Sequence, residues 1–224
     1  CGISDVQLES LKPLKDTLIK LSIPHNQVRG SGLKHLHGFS KLNELDLSSN
    51  NLDNNNCLTA LSELTSLKTL TLHNSLLLDR TGLSHISKLN QLESLVANLR
   101  DELSDSELNA LSSLSNLKFL YVHSDHRDYD GLLRAISKLT NLEGLSIKQF
   151  RYSGNISAQG IAQLQSLRNL KFFQCSLTTF NDAAFEALKS IPSLRRVLIG
   201  QDSLVIDAIP KFRKARPDVE LDFI

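Results

Sequence analysis

The stretch Leu42-Asn43-Glu44-Leu45-Asp46-Leu47-Ser48-Ser49-Asn50 constrains the fold most, because its spacing returns along nearly the whole sequence. Leucines at the first, fourth and sixth places with an asparagine at the ninth predict a short strand followed by a tight turn. Side chains alternate across a strand, so Leu45 and Leu47 face one side while Glu44, Asp46 and Ser48 face the other. The same frame fits residues 18–26, 67–75, 92–100, 117–125, 142–150, 167–175 and 194–202, and Val219 and Leu221 form a closing half frame. Successive first leucines differ by 24, 25, 25, 25, 25, 25 and 27 residues.

Ahead of the frames runs a second pattern of apolar residues three apart, as in Leu61, Leu64 and Leu67, or Ile161, Leu164 and Leu167. It predicts a short helix with one buried stripe, so that helix and strand alternate in every repeat. Self-similarity at this step, carrying this leucine pattern, resembles the leucine-rich repeat family. The resemblance implies an α/β fold, a right-handed solenoid or horseshoe with a parallel inner sheet and outer helices. It makes residues 1–224 one domain of about eight to nine repeats of about 25 residues. Repeat length and outer helices look like the ribonuclease-inhibitor and cysteine-containing subtypes, the latter familiar from F-box proteins and some bacterial effectors. A single repeat cannot bury its own leucines, so neighbouring repeats must cover them. The sequence starts in mid-repeat, with Leu8, Leu11 and Leu14 reading as the helical half before the first frame, and is therefore expected to be a piece of a longer protein.

The 25 basic and 24 acidic residues leave a formal charge of +1, without the strongly basic footprint of a nucleic-acid binder. The charge is uneven: residues 1–133 carry 12 basic and 16 acidic groups, residues 134–224 carry 13 and 8. Cys1, Cys57 and Cys175 show no paired spacing, and Cys175, at the ninth place of its frame, reads as a buried structural thiol. No apolar run approaches a membrane span and no signal peptide is evident, which places the chain in the cytoplasm or, alternatively, as a secreted bacterial effector acting in a host cell.

Catalytic motifs are absent: there is no GxSxG, HExxH, phosphate loop or CxxC. His123, Asp125, His126, Asp128 and Asp130 form the densest titratable cluster. It lacks the glutamate that closes a calcium loop, and reads as a solvated polar loop rather than a metal site. Neither a cofactor nor enzymatic activity is expected.

Binding is expected instead. On the open face the first three frames place small or polar side chains. The later ones place Val96, Phe119, Tyr121, Phe173 and Leu198, interleaved with His123, Lys148, Lys171 and Arg196. Aromatic rings rimmed by cations are what interface hot spots are made of. These nine residues therefore mark the concave face as the docking site for another protein or peptide, possibly acidic, with no small-molecule substrate. Within that reading the chain fits the substrate-recognition part of an F-box-like ubiquitin ligase or of a bacterial effector. Two further readings stay open: an enzyme through the His and Asp loop, and a nucleic-acid sensor using the basic later half.

Overall fold

The structure, a computed structural model, describes residues 2–101, 103–124, 129–149, 156–176, 182–200 and 207–223. The chain divides into two compact units, Cys1–Leu99 and Arg100–Ile224. In the first unit, strands β1 (Lys20–Ser22), β2 (Glu44–Asp46), β3 (Thr69–Thr71) and β5 (Ser94–Leu99) pair in parallel in chain order, and the two-residue β4 (Leu77–Leu78) adds to β5. In the second, β6 (Phe119–His123), β7 (Gly144–Lys148), β8 (Phe172–Ser176), β9 (Arg196–Ile199) and β10 (Glu220–Phe223) do the same.

Parallel neighbours need a return path, and here it is short and helical. The first unit returns through α1 (Asp5–Glu9), the 3-10 segments Lys12–Leu14, Gly30–Leu36, Asn55–Thr59 and Leu61–Glu63, and α2 (Arg80–Ile86). The second uses α3 (Asp105–Leu108), α4 (Asp130–Ile136), α5 (Ala158–Gln163), α6 (Asp182–Lys189) and α7 (Ala208–Ala215), with 3-10 turns at Asn109–Ser113 and Leu164–Ser166.

Much of the expected outer helix is therefore 3-10 helix. Leu33, Leu36, Phe39 and Leu42 lie strictly three apart, as do Leu58, Leu61, Leu64 and Leu67, and all eight are buried. A period of three stacks side chains on one line of a 3-10 helix, but it does not by itself select that helix, because Leu83, Ile86, Leu89 and Leu92 keep the same step through the α-helix α2. The same ladder of four recurs as Leu108, Leu111, Leu114 and Leu117, and as Leu133, Ile136, Leu139 and Leu142, all buried. Its last member is always the first leucine of the strand frame.

That rule corrects one register. The ladder Ile161, Leu164, Leu167 and Leu170 ends at Leu170, so the frame opens there and not at Leu167. Strand pairing agrees: Leu145 aligns with Phe173 and Ile147 with Cys175. Phe173 and Cys175 take the fourth and sixth, inward places, and both are fully buried. Cys175 is the buried thiol expected, though at a different place in its frame.

The asparagine turns form as expected where the asparagine is kept. Asn50 donates to the Ile23 and Leu47 carbonyls at 2.9 and 3.0 Å and accepts from Val28 N–H at 3.0 Å. Asn26 accepts from Ile3 N–H at 2.9 Å. On the helical side, carboxylates and amides at helix starts reach the next repeat: Asp5 accepts from Arg29 N–H at 2.7 Å and Asp130 from Ser157 N–H at 3.1 Å.

Candidate partner-binding face

Parallel pairing without bulges carries each frame position straight across a sheet, so the open face of the second unit consists of rows. The third-place row reads Phe119, Gly144, Phe172, Arg196, Glu220 and the fifth-place row Tyr121, Ser146, Gln174, Leu198, Asp222. His123, Lys148 and Ser176 continue the seventh place.

The first row brings two phenylalanines to either side of a residue without a side chain. A Cβ added at Gly144 would lie 2.9 Å from Phe119 Cδ1 and 3.8 Å from Phe172 Cδ1, so both rings lean over the glycine and cover it. Phe119 stays 43% exposed, the one large apolar side chain to do so among the described residues of this unit. Below the rings, Ser146 donates to Gln174 Oε1 at 3.1 Å, and both are buried although they sit on the open side. The result is an apolar patch beside a buried polar pair that bond each other.

Of the nine residues expected at the site, Phe119, Tyr121, His123, Lys148, Arg196 and Leu198 lie on this face. Phe173 does not. It belongs to the core, fully buried, because the frame is three residues later than the leucine spacing first suggests. Phe172, half-buried, takes the surface place instead. The ladder ending at Leu170 was the signal that could have found it. Lys171 precedes β8 and is exposed. Val96 belongs to the first unit, half-buried and level with Thr71, on a face otherwise polar: Lys20 pairs with Glu44 at 2.6 Å and Ser22 donates to Asp46 at 3.3 Å.

The cations around the aromatic patch are mostly spoken for. Lys171 Nζ is 2.8 Å from Glu143 Oε2, and this hydrogen bond with its charge holds the Glu143 carboxyl below its ordinary value. Arg196 spans Glu220 at 3.2 Å and Asp222 at 3.1 Å. Lys148, half-buried, has no carboxylate partner among the described residues. The face is thus apolar, with Lys171 and Arg196 at its rim neutralised and Lys148 not.

Asp125, His126 and Asp128 of the titratable loop lie outside the described residues. Asp130 holds the start of α5 through Ser157, with Ser157 Oγ at 2.5 Å. Among the described residues no three His, Cys, Asp or Glu side chains come together as a metal site, and no helix is long and apolar enough to cross a membrane.

No family model and no curated protein sequence matches the chain. Solved structures do. Internalin C2 from Listeria monocytogenes is 20% identical with a TM-score of 0.64, covering 95% of this chain and 84% of that one. Internalin inlF from the same strain is 16% identical with a TM-score of 0.48, over 98% of this chain and 82% of that one. The first likeness carries the comparison. Together with the recurring leucine frame and the parallel ladders, it identifies the fold as an α/β leucine-rich repeat solenoid.

Proposed function

We propose that the chain is a protein-recognition module without catalytic activity, and that the open strand face of its second unit docks an apolar segment of a partner protein. The observation that carries this reading is the pair Phe119 and Phe172 over Gly144, with Phe119 left exposed. Rings held by a sheet lose little freedom on binding and bury much area, and so contribute disproportionately to affinity. Tyr121 and Leu198 extend the patch, and His123 and Lys148 border it. Because Glu143, Glu220 and Asp222 already neutralise Lys171 and Arg196, an apolar anchor fits this face better than a strongly acidic one.

The test is capture of partner proteins by the intact chain beside Phe119→Ala with Phe172→Ala, identified by mass spectrometry. A partner held by the native chain should be lost, by roughly 10-fold or more in affinity, from a variant that still unfolds cooperatively with its melting temperature lowered by no more than about 5 °C. Equal retention by both removes the patch as the site.

A further inference from the structure

A groove lies on the helical side of the first unit, away from its strands. It measures about 670 Å3 and is formed where the Lys12–Leu14, Gly30–Leu36 and Asn55–Thr59 segments run side by side. That volume is in the range of small-ligand sites, about 300 to 1,000 Å3. Its apolar wall includes Cys57 and Ala60, both half-buried. A side chain at Gly30 would place its Cβ 2.6 Å from Cys57 Cβ, so the glycine is what lets these two segments approach and Cys57 line the groove.

Its charge is one-sided. Lys12, Lys34 and His35 line the groove, and Lys34 has no carboxylate partner within the ion-pair distance among the described residues. Lys12 is engaged at its outer side by Glu9 at 2.7 Å. The single carboxylate of the lining, Glu63, is taken up by His37 at 2.5 Å. Glu9 acts on Lys34 and His35 through space but forms its ion pair with Lys12. An ammonium without an ion pair at the mouth of a partly apolar groove suits a ligand with a carboxylate at one end and a hydrocarbon body at the other. The head would meet Lys34 and His35, and the body would cover Cys57 and Ala60.

We infer that this groove binds a small amphipathic carboxylate, independently of the protein-docking face. The experiment uses Cys57 as its reporter. The intact chain is labelled with N-ethylmaleimide at pH 8, and modification of Cys57 is followed by peptide mass spectrometry with butyrate, octanoate or decanoate present and with 1-octanol as the uncharged control. Cys175, fully buried, reports any general opening of the fold. Protection of Cys57 should grow with chain length and reach roughly fivefold when decanoate is at about four times its Kd. It should be weaker with 1-octanol than with octanoate, and be largely lost in Lys34→Ala, an exposed position whose change leaves the fold intact. No slowing by decanoate, equal slowing in Lys34→Ala, or labelling of Cys175 in step with Cys57 would each overturn the inference.

Discussion

Asn50 shows how much one side chain can hold in a repeat of this size. Its amide bonds the carbonyls of Ile23 and Leu47 and the N–H of Val28, linking two successive turns, and it is itself 7% exposed. Ser75, at the same place one repeat later, is shorter and reaches only the Leu47 carbonyl while accepting from Asn50 N–H at 3.4 Å. The residue before the ladder position adds a constraint: His25, Ser49 and Asn74 take φ of 54°, 52° and 56°, a left-handed conformation that asparagine and histidine adopt more readily than serine. After His25 and Ser49 the amides of Asn26 and Asn50 tie the turn backbone down. Asn50→Ala strands two backbone groups, the Ile23 carbonyl and the Val28 N–H, because Ser75 still reaches the Leu47 carbonyl. At about 1 to 3 kcal/mol each, offset in part by water, we expect a loss of roughly 2 to 4 kcal/mol. Urea denaturation should show it as a lower midpoint at unchanged slope. A loss below about 0.5 kcal/mol would mean that the turns hold without the ladder.

At the scale of the element, the leucine frame was legible because it repeats, whereas the helical type was not, since the same apolar step of three runs through the 3-10 segments and through α2 and α4. What the spacing of single leucines could not separate was the register of β8. The Phe172-Phe173 pair satisfies an inward ring in either frame, and Leu167 and Leu170 both look like a first leucine. Burial separates them, since Phe173 is fully covered and Phe172 is not. The two substitutions should therefore differ sharply. Phe173→Ala removes a core ring and is expected to cost about 3 to 5 kcal/mol, whereas Phe172→Ala, on the open face, should cost below about 1.5 kcal/mol. Chemical denaturation of both variants side by side reads the register directly; a larger cost for Phe172→Ala than for Phe173→Ala would return the frame to Leu167.

On the scale of the whole molecule, composition indicated a near-neutral chain but not where its charges meet. Lys20 with Glu44, Lys68 with Glu93 and Lys171 with Glu143 are brought together only by parallel pairing of successive repeats. These pairs are exposed and screened by salt, so they shift stability little. The larger pH effects should come from groups that folding desolvates. Burial lowers the His85 pKa below its ordinary 6.5, so between that value and the folded one the unfolded chain binds more protons and stability falls as the solution is acidified. Burial pushes the Cys57 thiol up to about 11 from 9.0, so above pH 9 the unfolded chain loses a proton that the folded one keeps, and stability falls as pH rises. Glu9, Glu143 and Asp218, lowered by Lys12, Lys171 and Arg216, add a weak acid-side loss below about pH 4.5. The expected urea midpoint is a plateau from about pH 7 to 9 with a shoulder on each side. His85→Gln, which can keep the bond to Thr59 Oγ1, should flatten the shoulder between pH 7 and 5. Cys57→Ala should flatten the one between pH 9 and 10.5, relative to the native chain. Shoulders that persist in both variants would assign the pH dependence to the surface pairs instead, and those would then have to weaken in 0.5 M salt.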